Sequence, residues 1–374
     1  MSKINRRKWI QKNVLAASLL ALGCRTNFDA VEQPLLTTID NNTPLPLHWN
    51  ENPYGPSPKA IQAVNNVMTK ANRYPDDMVA ELTEILAIKY AVKTENVLLT
   101  NGSTEILGLV GHQVGAEKGE ILMPFPSFPT MAMFGMGSGA TVKKVPLDNN
   151  NCIDLDQTLA AITDKTKVVF ICNPNNPTST EVDNAALKAF CRAVPKEVLV
   201  FVDEAYIEYA KLGAASSMIP LVPELSNLMV CRTFSKAYGL AGLRLGYAIS
   251  NKTNIDALNS RYVGVGFATG WPALVAAKAT LADTDFLTNG IQQNQAGKAI
   301  VYQAFEKWGV PFSESSTNFI YAESKRFVPD VQTKLKAENI LITKWSDMTN
   351  HIRISISEPK HMRQFVEVVE QFLV

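Results

Sequence analysis

The chain has 374 residues, which is enough for one large domain or two modest ones with well-buried cores. Hydrophobic residues make up 46% of the chain and charged residues 19%, as is ordinary for a soluble α/β protein. The formal net charge is +1 and no basic run interleaves with aromatic residues, so the composition gives no reason to expect a nucleic-acid partner.

Residues 1–23 predict an export signal. A charged segment contains the pair Arg6-Arg7 and precedes an apolar run that is too short to span a bilayer. Paired arginines are typical of twin-arginine signals, and Cys24 follows a stretch that resembles a lipoprotein cleavage box. We therefore expect a periplasmic protein, or one anchored to a membrane by a lipid at Cys24. The alternative is a basic N-terminus with no targeting role.

Residues 24–47 are polar and contain prolines, so they predict a linker to the folded body. Beyond them, helical patterns alternate with short apolar runs rich in β-branched residues and flanked by Gly, Pro and Asn, which is typical of buried strands. The predicted strands cover residues 97–100, 119–123, 168–172, 198–202, 228–231 and 245–249. Strands that alternate with helices predict a largely parallel sheet with helices on both faces.

The pattern changes after about residue 272, where a long helical stretch leads to shorter strands. These strands are predicted over residues 319–323, 340–343 and 352–356. The sequence therefore predicts a large domain over residues 48–272, whose N-terminal segment touches the next domain, and a small α+β domain over residues 273–374. No spacing of Cys and His is typical of a metal site, so no metal is predicted.

Polar residues that follow the predicted strands are the first candidates for a site, because ligands of an open parallel sheet bind beyond the carboxyl ends of its strands. After the first strand, Gly102 lets the backbone approach a phosphate, and Ser103 and Thr104 offer hydroxyl groups at the start of a helix. Alone this signal is weak, since Ser and Thr at a helix start are usually caps.

The next two strand ends carry Phe128 and Asn176. An aromatic side chain can stack on a flat cofactor ring, although core packing is the commoner role of phenylalanine. The amide of Asn176, in a turn made rigid by prolines, can hydrogen-bond a phenolate oxygen of such a ring. As turn chemistry alone, that segment is unremarkable.

Asp203 ends a very apolar run, where a carboxylate needs a partner. A protonated pyridine nitrogen supplies one, and its positive charge makes the ring an electron sink. Lys236 lies close to Thr233, Ser235 and Arg244, whose hydroxyl and guanidinium groups suit phosphate oxygens. A lysine in such a cationic, partly desolvated site has a lowered pKa and can form an imine. The alternative, an exposed loop lysine, fits poorly among these small and apolar neighbours.

The order of these elements resembles that of fold-type I pyridoxal phosphate (PLP) enzymes, and most closely the histidinol-phosphate aminotransferase-like branch. The resemblance covers roughly residues 45–370. It is carried by NENPYGPS at 50–57, NRYP at 72–75, NPNNPT at 173–178, DEAYIE at 203–208 and SKAYGLAGLRLGY at 235–247. It implies an α/β fold with a mostly parallel central sheet sandwiched by helices, a smaller α+β domain, and PLP as cofactor.

The resemblance also implies roles for single residues. Lys236 forms the Schiff base and moves the proton between the substrate and the cofactor, while Asp203 pairs with the pyridine nitrogen. The ring oxygen and the ring face are contacted by Asn176, Tyr206 and Phe128. The phosphate is held by Gly102, Ser103, Thr104, Thr233, Ser235 and Arg244.

Tyr74 matches a tyrosine that reaches the phosphate of the neighbouring subunit, which implies a homodimer with shared active sites. Arg353 matches the arginine that binds the α-carboxylate of the substrate, for which a bidentate guanidinium is well suited. Asn52 and Tyr54 are placed near the substrate by the same resemblance.

The sequence departs from that branch in places that bear on the substrate. Thr343, with Lys344 beside it, stands where histidinol-phosphate enzymes carry an arginine, and residues 25–47 lack the tyrosine that assists there. Histidinol phosphate is therefore not the expected substrate, and export points the same way because histidine biosynthesis is cytoplasmic. The loop at 264–272 is also unusual. His48 is a candidate for an extra acid–base group, although such a histidine is more often structural.

The first hypothesis is an aminotransferase that passes an amino group between an amino acid, for example an aromatic or other hydrophobic one, and a 2-oxo acid. The second is an oxygen- and PLP-dependent amino-acid oxidase or desaturase, with a cationic substrate such as arginine. A PLP decarboxylase is a weaker alternative. A non-catalytic PLP-fold binding module is also considered, but binding alone would not need Lys236.

Overall fold

The computed structural model describes residues 43–261, 269–345, 348 and 350–374. The predicted export signal, Cys24 and residues 264–268 of the unusual loop lie outside these ranges, so the expectations placed on them stay predictions. Within the same ranges, no helix is long and apolar enough to cross a membrane. Cys152, Cys172, Cys191 and Cys231 are all free thiols.

A seven-stranded sheet, counted over the described residues, forms the centre of the larger part of the fold. Its strands are β2 (Val97–Thr100), β3 (Glu120–Phe125), β4 (Thr141–Pro146), β5 (Thr166–Cys172), β6 (Leu199–Asp203), β7 (Leu228–Thr233) and β8 (Gly246–Ser250). The spatial order is β2-β8-β7-β6-β5-β3-β4. β8 runs antiparallel to both of its neighbours, and the remaining pairs are parallel. The predicted mostly parallel α/β sheet is thereby confirmed.

Helices cover both faces of this sheet. They are α1 (Pro58–Val67), α2 (Asp76–Tyr90), α3 (Ser103–Ala116), α4 (Thr130–Gly137), α5 (Leu155–Ala160), α6 (Asn184–Ala193), α7 (Lys252–Asn259) and α8 (Trp271–Leu281). Alternate residues of a strand point to opposite faces. In β5, Val169 packs in the core beneath α1, α2, α6 and α8, whereas Phe170 packs in the core beneath α3, α4 and α7. Burial on both faces explains why these strands are continuous apolar runs.

The C-terminal part of the chain folds around a separate core. Its elements are α9 (Thr284–Trp308), β9 (Phe319–Glu323), α10 (Val331–Ala337), β10 (Ile340–Ile342), β11 (His351–Ser355) and α11 (Pro359–Glu370). β9 and β11 pair antiparallel, and an isolated bridge joins Thr343, just after β10, to Arg353 on β11. This bridge brings the end of β10 beside the predicted substrate arginine.

Two strands were missed by the sequence analysis. Leu45–Leu47 forms β1, which pairs in parallel with β10, so the last residues of the predicted linker 24–47 belong to the fold. Leu45 and Leu47 are 3% and 0% exposed and alternate around an exposed Pro46, as an edge strand allows. β4 was missed because it is a half-polar edge strand that includes Lys143 and Lys144.

Candidate active site

The carboxyl ends of five strands, β2, β3, β5, β6 and β7, meet at one edge of the sheet and border a cavity of about 660 Å³. Residues of α10, β10 and β11 and the segments that follow β1 and β10 also line this cavity. The cavity is lined by His48, Trp49, Asn50, Glu51, Ser103, Thr104, Phe128, Cys172, Asn176, Asp203, Ala205, Tyr206, Thr233, Ser235, Lys236, Ala241, Gly242, Arg244, Gln332, Ile342, Thr343, Lys344, Trp345 and Arg353.

Lys236 lies in the loop after β7 and lines the cavity. Its Nζ atom donates a hydrogen bond to the Trp49 carbonyl oxygen at 3.1 Å and lies 5.8 Å from the centroid of the Tyr206 ring. Burial removes water from the ammonium group and Arg353 adds a second positive charge, so the pKa of Lys236 falls to about 8. A lysine with this pKa is partly uncharged near neutral pH and can act as a nucleophile.

Asp203 is the last residue of β6 and is 2% exposed. Its Oδ1 atom accepts a hydrogen bond from the Ala205 amide at 3.1 Å. Burial raises the pKa of Asp203 to about 7, and the neighbouring Glu204 carboxylate adds to the shift. Because this backbone amide offsets little of the cost of burying the carboxylate, a cationic N–H group, such as a protonated pyridine nitrogen, suits Asp203 as a partner.

We expect the Asp203→Asn apoprotein to be more stable than the wild-type apoprotein at pH 8, by about 2–4 kcal/mol. The pKa of the carboxyl group is about 7 in the folded protein against an ordinary value of 3.8. Its contribution to stability is therefore complete below pH 4 and is lost as the pH rises through 7, because the unfolded chain releases this proton more readily. At pH 4 the two proteins should be similarly stable. Urea unfolding at both pH values measures the difference, and equal stability at pH 8 would contradict the expectation.

Tyr206 places its hydroxyl group between two amides. Its Oη atom accepts hydrogen bonds from Asn50 Nδ2 at 3.0 Å and from Asn176 Nδ2 at 3.4 Å. Burial raises the pKa of Tyr206, so the phenol keeps its proton at neutral pH. Because both neighbours donate to the oxygen, the hydroxyl proton remains for an acceptor in the cavity.

A group of hydrogen-bond donors lies where α3 begins, close to the loop after β7. Gly102 gives no side-chain cap to the first turn of α3, which starts at Ser103, so the amides of that turn can receive an anion. Thr233 Oγ1 lies 3.0 Å from Ser235 Oγ, which in turn lies 3.4 Å from Arg244 Nη1. A Cβ atom on Gly102 would collide with the Arg244 guanidinium, so glycine makes this close approach possible.

Arg353 is 4% exposed and is held by three acceptors. Its Nη1 atom donates to Asn176 Oδ1 at 2.6 Å, and Nη2 donates to the His48 carbonyl oxygen at 2.6 Å and to Thr343 Oγ1 at 3.1 Å. Its guanidinium lies 4.8 Å from the Trp345 ring centroid. Burial lowers the pKa of Arg353 to about 10, so it stays charged at neutral pH. Its buried Nε–H has no hydrogen-bond acceptor among the described residues and can bind an anion.

His48 lines the cavity, and its backbone carbonyl oxygen accepts two hydrogen bonds. Its carbonyl oxygen accepts from Arg353 and, at 2.7 Å, from Thr343 Oγ1. Burial lowers the pKa of His48, so the ring is neutral at pH 7, and its buried Nδ1 has no partner in the part of the chain that is described. His48 therefore positions Arg353, and an acid–base role for its ring stays a prediction.

Together these groups fit PLP, the cofactor predicted from the sequence. The donors around Arg244 fit its phosphate, Asp203 its ring nitrogen, and Asn176 and Tyr206 its ring oxygen. Lys236 lies in the same cavity as a partly uncharged amine. Phe128, half-buried beside them, can stack on the ring.

Four predicted residues are not among those that line this cavity, and the first of them is Gly102, which lies beside Arg244 as described above. The side chain of Asn52 donates to the Ala237 carbonyl oxygen at 2.9 Å and accepts from the Tyr54 amide at 3.0 Å, so it supports the loop rather than facing a substrate. The hydroxyl group of Tyr54 is buried in a separate small cavity between this loop and α9. Tyr74 is 72% exposed at the surface, where it can face another subunit.

Several lining residues were not predicted. Asn50 was visible as the first residue of the NENPYGPS segment but was given no role. Trp49 and Trp345 had no local signal, because each reaches the cavity through contacts with residues far away in the chain, such as Lys236 and Arg353.

Comparison with known proteins gives a family and several relatives. The sequence profile of the family described as "Aminotransferase class I and II" matches residues 42–369. The chain is 38% identical over 298 residues to a histidinol-phosphate aminotransferase of Brevibacillus brevis, covering 80% of this chain and 81% of that protein.

Solved structures agree. A protein from Erwinia carotovora atroseptica, assigned provisionally as a histidinol-phosphate aminotransferase, superposes with a TM-score of 0.84 at 27% identity, over 89% of this chain and 96% of its own. The histidinol-phosphate aminotransferase of Sinorhizobium meliloti, solved in complex with pyridoxal-5′-phosphate, superposes with a TM-score of 0.80 at 24% identity, over 88% of this chain and 90% of its own.

Proposed function

Since the chain belongs to the family of class I and II aminotransferases, and is a PLP-dependent aminotransferase, we propose that its amino donor is an α-amino acid whose carboxylate binds Arg353. The observation that carries this proposal is the buried Arg353 guanidinium, which shares one cavity with Lys236 and whose Nε–H finds no acceptor among the described residues. A guanidinium held in this way offers a fixed, charged donor to a carboxylate.

The residues of the chain then have the following roles. PLP, when bound, supplies an aldehyde that condenses with amines and a pyridinium ring that withdraws electrons. Asp203 holds the proton on the pyridine nitrogen, and Tyr206 donates its hydroxyl proton to the ring oxygen. The partly uncharged Lys236 amine takes a proton from the substrate and returns one. Arg353 orients the donor by its carboxylate, which fixes the position of the proton to be moved.

Apolar residues of the cavity lining indicate which side chain the donor carries. They include Trp49, Ile342 and Trp345, and these apolar walls favour an aromatic or other hydrophobic side chain. Trp49 is 66% exposed, so the cavity is open to the surface beside it.

Histidinol phosphate is a second candidate donor, because the relatives are named for it and the Lys344 ammonium lies in the cavity, where it can attract a phosphate. Thr343 does not support it. Its hydroxyl donates to the His48 carbonyl and accepts from Arg353, so it is already used to hold the arginine.

The test mixes the PLP-loaded enzyme with one donor at a time, without a 2-oxo acid, and follows the absorbance of the cofactor. We expect one turnover per site, faster with L-phenylalanine or L-tyrosine than with histidinol phosphate. A faster turnover with histidinol phosphate would reject the amino-acid proposal in favour of the second candidate. Continued oxygen consumption in the same mixture would instead indicate an oxidase.

The relatives described above are aminotransferases by name. They give no support to the alternative hypotheses of an oxygen-dependent oxidase or desaturase, a decarboxylase, or a non-catalytic binding module.

We further propose that the enzyme is a homodimer. On the short helix α4, Met133, Phe134 and Met136 are 62%, 40% and 55% exposed. Tyr74, which the resemblance assigns to the phosphate site of a neighbouring subunit, is 72% exposed. A second copy of the chain would cover such apolar surface. Sedimentation should give a dimer for the wild type and a monomer with weakened PLP binding for a Met133→Glu, Phe134→Glu double variant. A monomeric wild type that binds PLP tightly would contradict the proposal.

Export remains a proposal that depends on residues 1–23. Paired arginines and the segment before Cys24 support a periplasmic or lipid-anchored location. Fractionation of cells that produce the wild type and an Arg6→Lys, Arg7→Lys variant tests this, since the variant should stay in the cytoplasm. Equal location of both proteins would rule out the twin-arginine route.

A further inference from the structure

Asn50 connects three parts of the active site. It is 2% exposed and adopts a left-handed backbone conformation, with φ 55°. Its side chain reaches Tyr206 in the larger part of the fold and Ser355 on β11, and its carbonyl oxygen accepts from Asn318 Nδ2 at 2.9 Å. These partners are more than 150 positions away in the chain, so Asn50 joins elements that meet only in the folded protein.

The orientation of the Asn50 amide is fixed by a reciprocal pair with Ser355. The Ser355 hydroxyl accepts from the Asn50 backbone amide at 2.9 Å and donates to Asn50 Oδ1, also at 2.9 Å. Because Oδ1 is held by a hydroxyl donor, the Nδ2 group must face the other way, towards Tyr206. Ser355 lies two residues after Arg353 on the same strand, so the strand that carries the substrate arginine also sets this amide.

The hydrogen bond that Asn50 donates to the Tyr206 oxygen affects the direction in which the Tyr206 hydroxyl donates its own proton. Asn50 is the nearer of two amides that donate to the phenol oxygen, at 3.0 Å against 3.4 Å for Asn176. A phenol oxygen that accepts hydrogen bonds becomes a stronger donor through its O–H, and its proton cannot turn back towards those amides.

We propose that Asn50 is a positioning residue that directs the Tyr206 hydroxyl to the ring oxygen of PLP and couples this donor to the strand that carries Arg353. The inference rests on the proposed role of Tyr206 in amino transfer. A shift of β11 when a carboxylate binds Arg353 would move Ser355 and Asn50 and, through them, Tyr206. Binding of the donor would then change the strength of the hydrogen bond that Tyr206 donates to the ring oxygen.

The test measures the pH at which the absorbance of bound PLP changes, in the wild type and in Asn50→Gly. Glycine adopts φ 55° without strain, so the variant removes the amide and leaves the backbone unstrained. A weaker hydrogen bond from Tyr206 leaves more negative charge on the ring oxygen. This charge raises the pKa of the nitrogen that joins Lys236 to the cofactor. We expect the midpoint to rise by about half a pH unit to one unit, as the loss of one hydrogen bond implies.

Other groups near the Tyr206 hydroxyl also affect this midpoint, but the substitution leaves them in place. They are Asp203, Lys236, Arg353 and Cys172. Asn339→Gly is the matched control, because Asn339 is exposed, has φ 58° and lies outside the cavity. Its midpoint and its kcat should equal those of the wild type.

Ser355→Ala tests the coupling, since it frees the Asn50 amide to turn. It should raise the midpoint in the same direction, and the Asn50→Gly, Ser355→Ala double variant should rise no further than Asn50→Gly alone. Should Asn50→Gly fail to fold, Asn50→Asp keeps the shape and the Ser355 contact but replaces the donor with an acceptor, so its midpoint should rise further still. An unchanged midpoint in the folded variants, or additive shifts in the double variant, would overturn the proposal. A wild type without a PLP band would reject the proposed function instead.

Discussion

Lys236→Ala should lose the visible absorbance band of bound PLP and lower kcat by at least about 10²–10⁴-fold, the range expected from the loss of a proton-transfer group alone. The reason is that Lys236 lines the cavity close to Tyr206, and burial together with the positive charge of Arg353 makes its amine partly uncharged. Absorbance spectra and steady-state kinetics measure both effects.

Two controls make this result specific to Lys236. Lys252→Ala removes an exposed lysine that pairs with Asp256 on α7, and it should leave the band and kcat unchanged. Added methylamine should restore part of the activity of Lys236→Ala, because a small amine can enter the space left by the side chain and carry the proton. A variant that keeps the band, or turns over as fast as the wild type, would show that another lysine carries the cofactor.

Arg353→Lys should lower kcat/KM for an α-amino acid by about 10–200-fold while leaving the PLP band in place. The lysine keeps the positive charge, but a single ammonium cannot replace a guanidinium that donates to Asn176, His48 and Thr343 and still offers Nε to a carboxylate. One charged hydrogen bond, which contributes about 1.5–3 kcal/mol, is therefore lost.

The matched control is Arg192→Lys, which changes an exposed arginine that makes two hydrogen bonds to Glu224 at the surface. It should not change kcat/KM. A second comparison uses a donor amine without a carboxylate, for which Arg353→Lys should have little effect. An equal loss for both donors would mean that Arg353 supports the fold of the site rather than binding the carboxylate.

The residues that could be predicted from the sequence are those next to strong local signals. Asp203 ends β6 and Lys236 follows β7, two strands whose burial is indicated by their apolar residues, and parallel strands place such ends at one edge of the sheet. The cofactor and the aminotransferase activity, inferred from these ends and from the family resemblance, are confirmed by the family match.

The contacts that assemble the site from distant segments could not be predicted. Asn50 and Ser355 are 305 positions apart, and nothing in either local sequence indicates their pairing. For the same reason Asn52 was placed near the substrate by resemblance, whereas its side chain holds the Ala237 carbonyl of the lysine loop. The departure at Thr343 was noted in the sequence, but its role as a ligand of the Arg353 guanidinium needed the bridge between β10 and β11.

The attachment site of the cofactor tests the central claim most directly. Sodium borohydride fixes the link between PLP and its lysine, and mass spectrometry of the digested protein then identifies the labelled peptide. We predict one labelled peptide, the one that contains Lys236, with no label after the same treatment of Lys236→Ala. Label on a different lysine, or no label on a wild type that has been saturated with PLP, would contradict the account.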